Sequence, residues 1–484
     1  MEKQERRPVV ALTGASGYIG SNLLEQINKH SDVIALSRNG GRFKNKQHVQ
    51  WRACDLFSLP ETKAGLKGAD IAVYLVHSMM PSAKLTQGSF EDMDVILADN
   101  FARAAKENGV KKIIYLTGII PSNDEKLSRH LQSRLEVEHI LGAYGTPVTA
   151  IRSGLIVGPH GSSFPILSKL VKRLPVMLLP KWTRTPAQPT ALSDVIHALD
   201  EAIKQEELTD RIIDVGGPEV MTYRKMMAQT AELLNRSPRF INLPVMTPRL
   251  SRLWLKLITG APKIIVYPLV ESLPHRMVVS DENQVPGISI GKTTFREAAQ
   301  EAIEADLEGN SKKRLTFNLP DSPDDVRSVQ RIVMPQGRDA LWIGRYYVHW
   351  IGRLSPLLET SVNENDRCTV SLKFIKKPLL EMTYSPVDST PERALYYITG
   401  GLLAKLSPNK KGRLEFRRIP NRSEAIVAIH DYLPSIPWFF YHYTQAKIHL
   451  LVMSAFRLHL KRLFKQQVFA PSKTDIGSIQ LIDA

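Results

Sequence analysis

Gly14, Gly17 and Gly20 recur at three-residue intervals directly behind an apolar run, Val9-Val10-Ala11-Leu12, and ahead of a stretch with helical character from Ser21 to Lys29. Four consecutive apolar residues suit a strand buried on both faces, as in a parallel sheet. Glycines at this spacing suit a phosphate-binding turn: one makes the turn, one admits close backbone approach to a pyrophosphate, and one lets helix pack on strand. The helix that follows directs free N–H groups and the positive end of its dipole at the phosphates. The segment Gly14-Ala15-Ser16-Gly17-Tyr18-Ile19-Gly20 is therefore expected to hold a dinucleotide.

A second apolar run, Val33-Ile34-Ala35-Leu36, ends in Ser37-Arg38, about 20 residues beyond the loop, where this arrangement reads the adenosine ribose. A carboxylate there would hydrogen-bond a free 2′-hydroxyl. Arg38 instead, with Ser37 and Arg42 nearby, suits a 2′-phosphate, so NADP(H) is expected over NAD(H), which stays open. As a bland alternative, Arg38 is a solvated residue after a strand.

These groups need a scaffold, and the chain supplies a long one. Its 484 residues call for two or three domains. A hydrophobic fraction of 43% with 23% charged residues is ordinary for a globular protein. The excess of 64 basic over 48 acidic residues suits anionic ligands or surfaces. No basic motif interleaved with aromatics is present, so nucleic acid is not expected as a partner. Two cysteines, Cys54 and Cys368, are too few for a disulfide framework or a structural zinc site, so no metal is expected. A reducing cytoplasm fits. The mixed-charge N-terminus does not read as a signal peptide, and no run of about 20 apolar residues exists to span a membrane.

Strand and helix alternate along the first half. Strands are expected at residues 49–56, 71–76, 112–116 and 148–152, with helices at 90–108 and 128–144, predicting an α/β domain with a doubly wound parallel Rossmann-type sheet. In such a fold Asp55 would face the adenine with Leu56 beside it in the cofactor site, and Val76, His77 and Thr117 stand at strand C-termini, where such sheets place their chemistry. Residues 154–310 read as a looser substrate lobe, with residues 175–189 extended and residues 261–279 and 295–307 completing it. Domain 1–310 is followed by a polar linker at 311–325. Domain 326–484 reads as α+β: antiparallel strands at 326–333, 368–375, 379–384, 394–399, 412–418 and 425–430, closed by a helix near 437–466. The apolar stripe of that helix is expected to cover the sheet as core, so peripheral membrane contact is not expected.

Over residues 8 to 305 the chain resembles the atypical short-chain dehydrogenase/reductases, in particular the nitrogen-metabolite-repressor-like NAD(P)H-binding proteins and the extended epimerase/dehydratases. The resemblance rests on the segments 13–20, Asp55-Leu56, Tyr74-Leu75-Val76-His77-Ser78, Tyr115-Leu116-Thr117-Gly118, 151–159 and 188–195. A bacterial subgroup of NAD(P)-dependent oxidoreductases carrying an extra C-terminal domain is especially similar. That domain distantly resembles a helix-grip, START-like ligand-binding fold.

The resemblance implies a catalytic Ser or Thr after the fifth strand, matched by Thr117, and then Tyr and Lys four residues apart on the next helix. Here those positions hold His130 and Arg134. His130 could donate the proton, since imidazole titrates near neutrality; Arg134 could hold ribose or phosphate but cannot act as a base. Equally, His130, Arg134 and Glu138 form an ordinary ion-paired stripe at four-residue spacing. His77 is either a second catalytic candidate or a group that bonds the loop over the cofactor. The implied activity is hydride transfer between NADP(H) and a carbonyl or quinone-like small molecule. The alternatives are a redox sensor that binds NADP(H) without turnover and a carrier of a hydrophobic ligand in the C-terminal domain. The sequence sets no oligomeric state.

Overall fold

In the computed structural model of the chain, the residues described are 6–78, 83–121, 126–161, 163–243, 270–309, 325–407 and 411–469. They form two compact units, one within residues 1–80 and 94–319, the other within 81–93 and 320–484. The expected linker at 311–325 lies outside the described residues except for Asp325, as do residues 261–269 of the lobe.

The first unit is built on a parallel sheet of β1 (Val9–Thr13), β2 (Asp32–Ser37), β3 (Val49–Ala53) and β4 (Ile71–Tyr74), with β6 (Lys112–Gly118), β7 (Val148–Ser153) and strand Ile212–Val215. The strand between β4 and β6 in sequence, β5 (Leu85–Gln87), belongs to the second unit. From one edge the order is Ile212–Val215, β7, β6, β4, β1, β2, β3. The central strand β1 thus pairs with both β2 and β4, Val10 lying opposite Val33 and Ile71. The order reverses beside β1, so the loops after β1 and β4 open into one crevice, the switch point where doubly wound sheets bind ligands.

Helices α1 (Tyr18–Ile27), α2 (Leu59–Leu66), α3 (Phe90–Glu107) and α4 (Arg129–Gly142) flank the sheet. Leu23 and Ile27 of α1 pack with Val195, Ala198, Leu199 and Ala202 of helix Leu192–Lys204 over alternate sheet residues. Each large aliphatic buried there stabilises the unit by about 1.5–3 kcal/mol. Ser128 caps α4, accepting a hydrogen bond from the Leu131 N–H. The third strand stops at Ala53, short of the expected Asp55, because Asp55 begins a turn: its Oδ1 accepts from the Phe57 N–H, and its own N–H donates to Glu61 of α2.

The lobe has its own core, with Phe164, Leu167 and Leu170 of helix Ser163–Arg173 against Tyr223, Met226 and Met227 of helix Tyr223–Leu233 and Phe295 of helix Phe295–Gly309. Residues 175–189 are not simply extended. Strand Val176–Leu179 pairs with Arg239–Asn242, and a helical turn, Lys181–Arg184, follows it.

In the second unit, strands Leu358–Val362, Arg367–Leu372, Leu380–Tyr384, Arg393–Gly400, Arg413–Arg418, Glu424–Tyr432 and Val326–Val333 follow one another antiparallel across the sheet. An eighth, β5, pairs parallel to Val326–Val333 at the edge, so the sheet is mixed rather than purely antiparallel. Helix Ala340–Ile351 and strand Leu358–Val362 were not anticipated by the patterning. The helix starts where the Asp339 side chain accepts from the Trp342 N–H, and it buries Ile343, Tyr347 and Trp350. The Tyr347 ring lies 5.3 Å from Phe416 and 4.9 Å from Phe456. On the other face of the sheet, the buried Glu415 accepts from Arg393 and Arg417, and these guanidinium groups hold its carboxyl well below the usual range against the cost of burial.

The C-terminal helix is two helices, Trp438–Tyr443 and Gln445–Phe469, broken at Thr444. One face is core as expected, with Ala446, Met453, Phe456 and Leu460 buried; Ile448, Leu451 and Leu458 are exposed instead. No helix among the described residues is long and apolar enough to cross a membrane.

Burial pushes His430 and His449 down to about 4, so both are neutral in the folded chain. Unfolded, they protonate near pH 6.5. Stability is therefore full above pH 6.5 and falls as pH drops toward 4, each histidine contributing at most about 1.4 kcal/mol per pH unit. Urea melts between pH 7.5 and 4.5 should show this loss, and an acid-independent midpoint would contradict it.

Candidate functional site

The site is set by a contact that only glycine permits. Gly14 turns the chain at φ +65°, and a Cβ on Gly20 would lie 2.1 Å from the Gly14 carbonyl oxygen. The Gly17 N–H donates to that same carbonyl at 2.8 Å. Gly17 is the N-cap of α1 and has no side chain with which to cap it, leaving first-turn N–H groups to an external acceptor. A tight turn with an uncapped helix start behind it fits a pyrophosphate.

Neighbouring strands brace this loop. The Thr13 hydroxyl donates to the Val73 carbonyl and accepts from the Leu75 N–H, both at 3.0 Å. Val76 packs 3.6 Å from the space a Gly14 Cβ would fill. Ala15 is buried, and Ile19 packs into the sheet core. The Tyr18 ring turns toward Gly158, where burial raises its pKa above the ordinary phenol value. On the β2 side, the Ser16 and Ser37 hydroxyls lie 3.1 Å apart, and Arg38 is exposed beside them. Loop, Ser37 and Arg38 are thus brought together as a cradle with a cation at its rim. Asp55 is held in its turn at the end of β3, and the Leu56 carbonyl accepts from buried Asn100.

The residues proposed for chemistry separate. Arg134 is buried, its Nη2 3.2 Å from Oδ2 of Asp94 on α3, which also accepts from the Ser133 hydroxyl and, at Oδ1, from the Ser78 N–H at 2.6 Å. Glu138 pairs with Arg152 of β7 through two contacts, 2.7 and 3.1 Å, so the expected ion-paired stripe along α4 does not form. Both charges turn to partners outside their own helix. Tyr115 donates to the Arg134 carbonyl at 3.4 Å and, with Tyr74, lies near the buried pair. Thr117 is buried on the same face of β6 as Tyr115.

His130, one turn before Arg134, lines an apolar cavity of about 160 Å³. Gly118, Ser153 and Gly154 bring the ends of β6 and β7 to this cavity, and the lobe closes it with Leu167, Trp182, Tyr223 and Met227. Burial, then the Arg134 charge, pushes the His130 ring down to about 3. The ring is therefore held neutral by burial, away from the ordinary imidazole range. His77 stands exposed at the open end of β4.

Sequence reasoning missed Asp94 and the aromatic lining from the lobe. Asp94 carried a signal, as an acid between Met93 and the apolar run Val95-Ile96-Leu97-Ala98 on a core helix. Trp182, Tyr223 and Met227 reach the cavity only through tertiary packing.

Replacing Arg134 by Met leaves Asp94 buried without its cation and should destabilise the unit by about 3–5 kcal/mol. The double variant Asp94→Asn/Arg134→Met should recover much of that loss in a denaturant titration. If the single variant melts like the parent chain, the pair is not structural.

Residues 14–161 match a family model described as NAD(P)H-binding. Over 143 residues the chain is 39% identical to the auxiliary protein GraX of Staphylococcus aureus, covering 29% of this chain and 43% of that protein. Over 244 residues it is 22% identical to subunit 9 of the NADH dehydrogenase [ubiquinone] 1 alpha subcomplex from Arabidopsis thaliana mitochondria, covering 49% of this chain and 60% of that protein. The chain thus spans less than two thirds of either relative. The NADPH-dependent quinone oxidoreductase of Escherichia coli, solved in complex with NADPH, is 18% identical with a TM-score of 0.49, covering 61% of this chain and 99% of that one. With the glycine turn, the uncapped helix and the switch point in one place, the segment 14–161 is an NAD(P)H-binding domain.

Proposed function

We propose that the chain is an NADP(H)-dependent oxidoreductase acting on a carbonyl or quinone-like substrate of largely apolar character. The observation that carries this reading is the apolar cavity at the ends of β6 and β7, with His130 in its wall. When bound, the nicotinamide supplies or accepts the hydride. The chain's own residues do the rest. Ser37 and Arg38 hold a 2′-phosphate, the first-turn N–H groups of α1 hold the pyrophosphate, and the cavity wall excludes water from the apolar part of the substrate. His130, too hard to protonate to act as an imidazolium, orients the substrate oxygen by hydrogen bonding, and that oxygen takes its proton from water. Two free cysteines, both buried, fit a cytoplasmic setting.

A second reading is favoured by one specific arrangement. Arg134 is engaged with Asp94, and no Tyr-x-x-x-Lys pair stands on α4, so the usual proton-transfer machinery of such enzymes is missing. This is what a sensor that binds NADP(H) without turnover would show. The carrier reading has less support, because aromatic rings such as Tyr347, Phe416 and Phe456 fill the space between sheet and helices in the second unit.

Calorimetric titration with NADPH and NADH, followed by a panel of quinones and aldehydes with absorbance of the reduced cofactor as readout, separates the two. Oxidation by any acceptor supports the enzyme; tight binding with none supports the sensor. Arg38→Ala should weaken NADPH by about 10- to 100-fold and leave NADH nearly unchanged; equal losses would remove the phosphate assignment. With an acceptor in hand, His130→Leu should lower kcat by about 10²-fold while His130→Gln, which keeps a donor, should lose less. Equal activity of the two variants would show that His130 plays no part.

A further inference from the structure

Helix Gln445–Phe469 turns one stripe inward and leaves another uncovered. From 445 to 465 the exposed residues are Lys447, Ile448, Leu450, Leu451, Arg457, Leu458, Lys461, Arg462 and Lys465. Each is either aliphatic or basic. Leu451 is 69% and Leu458 56% exposed, and just before the helix Phe439 is 69% and Phe440 59% exposed. No Asp or Glu occurs between Asp431 and Asp475. Among the described residues, Lys447, Arg457, Lys461, Arg462 and Lys465 make no ion pair with a carboxylate; Lys447 instead lies 5.3 Å from the centre of the exposed Tyr443 ring.

We infer that this face docks on the surface of an anionic phospholipid bilayer, with Phe439, Phe440, Leu451 and Leu458 entering the headgroup boundary and the lysines and arginines meeting lipid phosphates. Several large apolar side chains exposed on one short stretch of chain mark an interaction surface. Their mixture with unpaired bases and no acid matches an interfacial helix that lies in the membrane plane. The helix is too short of continuous apolar residues to cross, which agrees with docking rather than spanning. A second copy of this chain is a poorer occupant, because self-pairing would set this basic face against itself in a protein of net charge +16. Nucleic acid would meet the bases and could stack on Phe439 and Phe440, but it would leave the exposed aliphatic stripe of Ile448, Leu450, Leu451 and Leu458 uncovered, which a bilayer boundary takes up.

The test is flotation of the full chain with vesicles of mixed phosphatidylglycerol and phosphatidylcholine, and with phosphatidylcholine alone, at low and high salt. The chain should float with the anionic vesicles at low salt, be released by high salt, and stay behind with the zwitterionic ones. Lys461→Gln/Arg462→Gln should reduce partitioning by roughly 30-fold, since each basic residue near such a surface contributes about fivefold. Leu451→Glu/Leu458→Glu should abolish flotation while NADPH titration remains that of the parent chain, showing that the fold is intact. Failure to float would overturn the inference, as would binding indifferent to lipid charge. Sedimentation showing a dimer that Leu451→Glu dissociates, or displacement of the chain from vesicles by equal charge of RNA with retention of both leucine variants on it, would assign the face to another partner and overturn it as well.

Discussion

The close approach of Gly20 to the Gly14 carbonyl governs much of the first unit. With no Cβ between them, α1 begins directly behind β1 and its free N–H groups converge on one point at the switch of strand order. A side chain at Gly20 would push the helix off the sheet and disperse those donors. Thr13, hydrogen-bonded to both the Val73 carbonyl and the Leu75 N–H, locks the loop to the end of β4, so the floor of the crevice and the cofactor cradle are one rigid piece. Function in such folds resides in the crevice, and its shape here follows from one missing methyl group.

Electrostatics organise the neighbouring half of the site. A buried ion pair is costly to assemble, and its cost is offset only where further hydrogen bonds complete it. Asp94 meets that condition with the Ser78 N–H and the Ser133 hydroxyl in addition to Arg134. Burial, and secondarily the retained positive charge, lowers the proton affinity of His130. Arg134 is thus tied to a carboxylate on another helix, and its charge adds to the effect of burial in keeping the His130 ring neutral.

The second unit solves a different problem. Its sheet needs cover on the helical side, and the helix rings of Tyr347, Trp350 and Phe456 supply it, Tyr347 meeting Phe416 of the sheet. Beside strand Val326–Val333 the sheet edge is formed by β5, from a segment more than 200 residues earlier, so the unit is not contiguous in the chain. Arg331 reinforces that edge, bonding Asp92 at 2.7 Å and Glu424 at 3.0 Å. The last helix covers the sheet with only one of its faces, which leaves its aliphatic and basic side available.

Much was legible in local pattern. Period and punctuation located the parallel strands, the glycine turn and Arg38, because those depend on neighbours within one βαβ unit. The helix Ala340–Ile351 was not legible, since a run of aromatic and β-branched residues suits strand and buried helix alike, and Asp339 was its only local mark. Nor could spacing along α4 reveal partners: Arg134 and Glu138 sit one turn apart, yet each finds its opposite charge on another element, Asp94 or Arg152. By itself, then, the sequence determined the glycine turn between β1 and α1 and the layered α/β scaffold, which short-range spacing and apolar periodicity suffice to specify. Only the tertiary structure decided the ionisation of His130, the lining of the cavity, the membership of residues 81–93 and the uncovered face of the last helix, because each depends on side chains brought together from distant parts of the chain.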